Sequence, residues 1–193
     1  CHALDQTPYP YLPARRPDTV IYSFNTGIAC LSSAAFGLWF LGFPDQALAA
    51  SREAVSWARE LSHPFSLAYA MCFSGMLDQL CRDVQAAQER ATAAMALCTE
   101  QGFALYLARG TLLQGWAMAE QGQGAAGLAQ MRQGLVAYQA TGAAVFRPYY
   151  LAFLAEAYGK LGQAGEGLTL LGEALAAVHA TGERFYEAEL YRL

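Results

Sequence analysis

The chain has 193 residues, of which 55% are hydrophobic and 15% charged, and a formal net charge of −4. That composition supplies a sizeable core and excludes a disordered chain. Apart from Arg15-Arg16 the arginines are isolated, and Lys160 is the single lysine, so no basic stripe gathers on one face and nucleic acid is not an expected partner. No apolar run approaches the ~18 residues that span a bilayer, so no membrane partner is expected either.

The first 24 residues differ from the rest. Pro8, Pro10, Pro13 and Pro17 follow one another in TPYPYLPARRPDT. Each proline removes a backbone donor and clashes with the preceding turn, so residues 1–24 are expected to be irregular. The helical period begins near Asn25, and residues 25–193 read as one repeat domain. Apolar residues Ile28, Leu31, Ala35, Leu38 and Trp39 recur at helical spacing, and Leu41-Gly42 ends that helix. Pro44 pre-sets the first turn of the next, with Asp45 beside its positive N-terminal dipole. Ala47, Leu48, Ser51, Ala54, Val55, Ala58 and Leu61 mark an inner stripe; Arg52, Glu53, Arg59 and Glu60 mark a wet face. The same grammar predicts helices over 25–41, 45–61, 65–81, 84–100, 104–121, 125–141, 146–161, 165–181 and 184–193. That is four helix pairs and the start of a fifth.

The chain lines up with itself at an offset of 40 residues. Gly42, Arg82, Gly122 and Gly162 form one series, and Ser62, Gly102, Gly142 and Gly182 another. Small residues recur as Ala35, Gly75, Gly115 and Ala155, as Ala47, Ala87, Gly127 and Gly167, and as Ala54, Ala94, Gly134 and Ala174. A period of this size marks a solenoid, in which each unit buries its apolar face only against its neighbours. Glycine inside a helix costs up to about 1 kcal/mol against alanine, so its return at fixed phase implies close backbone approach. The expected fold is all-α, a right-handed superhelical solenoid of antiparallel helix pairs with turns near residues 42, 62, 82, 102, 122, 142, 162 and 182.

With these small residues, the Leu41-Gly42 and Leu161-Gly162 turns and Ala174-Leu175 in place, the pattern resembles the tetratricopeptide repeat. LAFLAEAYGKLGQAGEGLTLLGEALAAV, from Leu151 to Val178, is its clearest unit. The second unit departs from the pattern: Asp78 stands where a large apolar residue is usual and Arg82 replaces the turn glycine, and at four residues apart the two are expected to pair. LWFLGFPDQAL (38–48), ARELSHPFSLAYA (58–70) and GWAMAEQGQGAAGLAQMRQGL (115–135) resemble the C-terminal helical arrays of bacterial signalling ATPases. There an NTPase module, often behind an adenylate or guanylate cyclase domain, precedes such repeats. The resemblance implies a regulatory or sensing region and transfers no catalytic residue. The chain opens on Cys1 and stops on Leu193 within a helical pattern, so it reads as a piece of a longer protein.

No sequence motif calls for catalysis, a metal or a cofactor: GxxxxGK[ST], GxGxxG after a strand, HExxH and GxSxG are all missing. His2, His63 and His179 are far apart, and His63, beside Pro64, reads as a capping or surface residue. Glu156 and Lys160 have i, i+4 spacing for a surface ion pair. The tetratricopeptide resemblance implies that first helices line the inner, concave face. Its phases place Ser32, Phe36, Trp39 and Phe40 there, then Tyr69, Cys72, Met76 and Gln79. Arg109, Leu112, Trp116 and Glu120 follow, and then Tyr149, Ala152, Glu156 and Lys160. The expected binding residues are Trp39, Tyr69, Met76, Arg109, Trp116, Tyr149 and Glu156, since aromatic and arginine side chains most often anchor interfaces. Arg109, a cation on an apolar strip, is expected to meet Glu156 or an anionic ligand group.

Three functions compete: a module binding a protein or peptide partner, or other domains of its parent chain; an apolar ligand pocket between Trp39, Met76 and Trp116; and a self-associating homodimer. The scattered cysteines Cys1, Cys30, Cys72, Cys81 and Cys98 show no ligand spacing and read as reduced thiols of a cytoplasmic protein. Cys30, Cys72, Cys81 and Cys98 are expected to be free and largely buried. Thiol titration of the denatured, unreduced protein should recover all four, and loss of an even number would reveal disulfides.

Overall fold

The computed structural model describes Val20, Ile21 and residues 24–193. The irregular character expected of residues 1–24 therefore lies almost wholly outside the described residues. Two strands of two residues each, β1 (Val20–Ile21) and β2 (Phe24–Asn25), pair antiparallel with Val20 opposite Asn25. All other regular structure among the described residues is helical. The helices are α1 (Thr26–Phe40), α2 (Pro44–Glu60), α3 (Pro64–Leu80), α4 (Val84–Gln101), α5 (Ala104–Glu120), α6 (Gly124–Ala140), α7 (Arg147–Lys160), α8 (Ala164–Thr181) and α9 (Glu187–Arg192). None is long and apolar enough to cross a membrane. The architecture is an all-α, tetratricopeptide-like array of helix pairs. The chain divides into two compact units, Cys1–Leu77 and Asp78–Leu193.

Each helix stops for a visible reason. Gly42, Ser62, Arg82, Gly102, Gly122, Gly142, Gly162 and Gly182 all have positive φ, between 50° and 87°, one every 20 residues. After α1 the Gly42 amide donates to Trp39 O (3.0 Å) and the Phe43 amide to Leu38 O (2.9 Å). This pair of bonds satisfies carbonyls that the helix end leaves open, and the left-handed residue between them reverses the chain. The same pair closes α5 at Gly122 and α7 at Gly162. It also closes α3, where Arg82 N bonds Gln79 O and Asp83 N bonds Asp78 O.

In the first unit Asn25 caps α1, its side-chain oxygen accepting from Ile28 N at 3.1 Å. Its own amide donates to Ser66 Oγ at 2.8 Å, and Ser66 sits 2.9 Å from His63 Nδ1. His63 also accepts from the Ser66 amide, which is the capping role expected of it. Trp57 of α2 lies directly over Gly27 of α1, where a Cβ would fall 2.3 Å from the indole ring. Ser51 of α2 donates to Ser74 of α3 at 2.8 Å.

In the second unit, glycines let backbones touch. A Cβ on Gly115 of α5 would meet Gly127 O at 2.8 Å, and one on Gly127 of α6 would meet Gly115 O at 2.5 Å. Gly134 fits against Leu112, and Gly167 of α8 against Ala155 O of α7. All twelve members of the three small-residue series are buried. An aromatic core holds the last pair: Tyr149, Tyr150, Phe153, Phe185 and Tyr186 make ring contacts with centroids 4.5–6.1 Å apart. Tyr149 Oη donates to Gln79 Oε1 at 2.8 Å in a buried bond. Burial pushes the Tyr186 hydroxyl up to about 12 and Tyr149 well above its ordinary value. Because Phe185 and Tyr186 pack into this core, α9 starts at Glu187 rather than at the expected residue 184.

The cysteine expectation needs one correction. Cys30, Cys72, Cys81 and Cys98 are free, but only Cys72 and Cys98 are buried. Cys30 is exposed and Cys81 is half-buried, its thiol pushed up by burial and by Asp78 and Asp83.

Close approach at Gly127 predicts opposite outcomes for two glycine-to-alanine changes. Gly127→Ala forces α5 and α6 apart and should cost about 2 kcal/mol, because overpacking outweighs the gain in helix propensity. Gly172→Ala meets nothing within 4 Å and should stabilise by about 0.5–1 kcal/mol. Chemical denaturation of the two variants checks this, and equal shifts would contradict it.

Candidate functional site

The expected binding residues separate by burial. Met76 (3% exposed), Arg109 (7%), Trp116 (1%) and Tyr149 (0%) lie in the core, whereas Trp39, Tyr69 and Glu156 are half-buried. The correction has a simple cause. The helical phase taken as groove-facing is, in α5 and α7, also the phase that meets the neighbouring first helix. Trp116 packs against Phe153 at 6.1 Å, and Tyr149 packs among Tyr150, Phe153 and Tyr186. Of these residues, Trp39, Tyr69 and Met76 belong to the first unit and Trp116 to the second. With Met76 and Trp116 buried, neither offers a face to an apolar ligand.

Arg109 is accommodated by aromatic groups. Its Nε donates to Tyr150 Oη at 2.8 Å, and its guanidinium lies 5.0 Å from the Phe146 ring centroid and 6.0 Å from that of Tyr106. Stacking of this kind suits arginine, whose planar cation is weakly hydrated. Phe146 itself has φ 68°, and its amide is held by the Glu183 carboxylate at 2.8 and 3.1 Å. Burial raises the Glu183 pKa, partly offset by that amide.

Glu156, the partner expected for Arg109, belongs to a different cluster. Arg82 reaches Glu156 at 2.8 Å, Glu120 at 3.5 Å and Glu189 at 3.8 Å. Lys160 pairs with Glu156 at 3.2 Å, the expected i, i+4 bridge, and also with Glu120. Asp78 does not pair with Arg82. Its partner is Arg90 Nε at 2.7 Å, and burial nonetheless raises the Asp78 pKa. Arg82 thus occupies a backbone position that suits glycine because its side chain links the C-terminal ends of α5 and α7 to α9. With Arg192 pairing Glu189 at 2.5 Å, three cations of the described residues meet three carboxylates here, and the crevice behind them, lined by Trp116, Phe153, Glu156 and Lys160, has no room for a water molecule. This is a structural clasp rather than a pocket.

Two exposed features remain. In the first unit, Phe36 and Phe40 of α1 and Tyr69 and Phe73 of α3 form a continuous ring cluster. Phe36 lies 5.1 Å from Phe40 and 6.2 Å from Phe73, and Tyr69 stacks on Phe73 at 4.6 Å. Phe40 is 45% exposed and the other three are half-buried, with Phe43 also exposed at the adjoining turn. In the second unit, a cavity of about 350 Å3 opens between α6, α7 and α8, lined by Arg132, Leu135, Val136, Leu154, Tyr158 and Leu170, with Glu166 and Thr169 at its α8 edge. Sequence reasoning missed this cavity, although the self-alignment carries its signal: Gln114 and Gln130 become Leu154 and Leu170 one repeat later. Among the described residues no group of side chains could hold a metal ion.

Neither protein-family models nor curated protein sequences match the chain. Solved structures do. The apo form of RapI superposes with a TM-score of 0.63 at 10% identity, over 84% of this chain and 60% of RapI. Aspartyl phosphate phosphatase F from Bacillus subtilis gives 0.62 at 11% identity, over 86% of this chain and 44% of that one. The tetratricopeptide-like repeats of a putative kinesin light chain from Podosopora anserina give 0.57 at 19% identity, over 86% and 88%. At these identities the likeness is one of fold. The chain spans less than two thirds of the first two.

The clasp makes a prediction about Arg82. Arg82→Gly relieves a left-handed backbone strain of about 1 kcal/mol and removes partly exposed ion pairs of similar total worth. Stability should therefore stay nearly unchanged at low salt and rise above wild type at high salt, where wild-type pairs are screened. Denaturation at two ionic strengths measures it; a large loss at both would show that the clasp outweighs the strain.

Proposed function

We propose that this chain is a non-catalytic helical-repeat module that binds a protein or peptide partner and serves as the regulatory or sensing region of a larger bacterial signalling protein. The observation that carries this reading is the ring cluster of Phe36, Phe40, Tyr69 and Phe73 on the first helices α1 and α3. Phe36, Phe40 and Tyr69 stand in the phases expected to face a partner, Phe73 lies outside them, and Trp39, half-buried, lies on α1 with Phe36 and Phe40. Aromatic groups that are mutually packed yet partly exposed offer large contact area at little entropic cost, which is the character of interface anchors. The fold supports the reading, since stacked helix pairs present long surfaces and the sequence carries no catalytic motif. The NTPase and cyclase modules of the resembled arrays supply the kind of domain to which such a region would report.

The test places a photo-cross-linking amino acid at Phe40 or Tyr69, and at Arg52 on the exposed face of α2. Adducts with a discrete partner are expected from the first two positions and not from the third. Tyr69→Ala should weaken that partner by about 2 kcal/mol, an anchor-sized loss, without loss of helicity. Trp116→Ala, by contrast, should lower stability by about 3 kcal/mol or more. Adducts from Arg52 alone would move the site to the second helices.

A further inference from the structure

The two successive clefts of the second unit are built from equivalent positions and are closed differently. Between α4, α5 and α6 a polar ladder crosses the cleft: Gln130 of α6 donates to Gln114 of α5, which donates to Thr92 of α4 at 3.4 Å. Beside it Gln121 donates to Gln88 at 2.6 Å. Forty residues later the same three rungs are Leu170, Leu154 and Arg132. Leucine makes no hydrogen bond, so nothing bridges α6 to α8, and the cleft stays open as the cavity of about 350 Å3. Its volume falls within the ~300–1,000 Å3 of small-molecule sites, and its make-up, an apolar wall with a few polar groups, is theirs as well.

The polar groups identify the ligand's chemistry. Arg132, an exposed residue, replaces the neutral Thr92 rung, and no carboxylate of the described residues lies within ion-pairing distance of it. Glu166, on the opposite wall, stands in the first turn of α8, where the helix dipole already favours its charge. Thr169 donates its hydroxyl to Gly165 O at 2.9 Å, while the Tyr158 hydroxyl bonds no protein group. Arg132 and Glu166 are both exposed and neither makes an ion pair among the described residues, but the α8 dipole partly offsets the Glu166 charge, whereas Arg132, in the middle of α6, has no such offset beside Leu135, Val136, Leu154 and Leu170. We infer that this cleft is a binding site for a small amphiphile with an apolar chain and an anionic head, the head on Arg132 and the chain against Leu154 and Leu170. The site is separate from the aromatic cluster proposed for a protein partner and does not depend on that reading.

Isothermal titration calorimetry with decanoate, and with decyltrimethylammonium as a cation carrying the same chain, tests the inference. Decanoate should bind the wild-type protein more tightly than the cation does. Arg132→Ala should weaken decanoate about tenfold, the worth of one charge-assisted contact, and leave the cation unchanged or improved. The double variant Leu154→Gln, Leu170→Gln rebuilds the ladder residues of the preceding cleft and should abolish decanoate binding while circular dichroism stays unchanged. If that variant misfolds, Val136→Glu at the exposed rim gives a second route, and should weaken decanoate by like-charge repulsion. Equal affinity for the two amphiphiles, or decanoate binding indifferent to these changes, overturns the inference. So does a wild-type dimer in sedimentation that the double variant converts to monomer, since the cleft would then be an interface between copies.

Discussion

The left-handed residue at the end of each helix is the constraint on which the rest of this structure depends. It fixes where the helix stops and reverses the chain within three residues, and in the second unit it brings each helix from α4 to α8 into contact with the next. Six of the eight regularly spaced positions are glycine, the residue that adopts this conformation without steric cost. Ser62 and Arg82 are the exceptions. At Arg82 the side chain gives a return for the strain, because only a long cation from that turn reaches Glu120, Glu156 and Glu189 together.

Once the turns are fixed, packing follows from side-chain size at a few phases. Where both helices carry glycine, as at Gly115 and Gly127, backbone lies on backbone; where alanine replaces it, as at Ala35 and Ala47, the pair still buries both residues almost completely. Short-range closeness of this kind is unforgiving of added volume. It therefore defines the array more sharply than the hydrophobic periodicity, which many helices of unrelated folds share.

This explains what was legible in the sequence and what was not. Turn positions and helix bounds were readable because glycine, proline and small residues act locally, through the backbone. The capping role of His63 was readable for the same reason. The inward faces of α5 and α7 were not, because a first helix has neighbours on more than one side. Trp116 and Tyr149 occupy the angle shared by the presumed groove and by the adjacent first helix, and at that angle side-chain volume decides in favour of burial. The partners of Arg109, Asp78 and Glu156 were equally hidden. Charge pairing depends on which helix ends converge in space, as Arg82 and Glu156 do across 74 positions of sequence.

The contrast between the two clefts shows how a repeat acquires individuality without a change of fold. Thr92, Gln114 and Gln130 satisfy one another across three helices, and each would be costly to bury alone. Thr92 is exposed and Gln114 and Gln130 half-buried, so a single leucine in the ladder leaves the remaining amide to water. Replacing the two glutamine rungs together, as Leu154 and Leu170 do, removes the ladder and leaves apolar walls that water wets poorly. Arg132 is itself exposed, so water solvates its charge whether or not the cleft is occupied. Covering the exposed face of Val136 and the half-buried faces of Leu135 and Leu170 is the apolar gain this cleft offers an occupant.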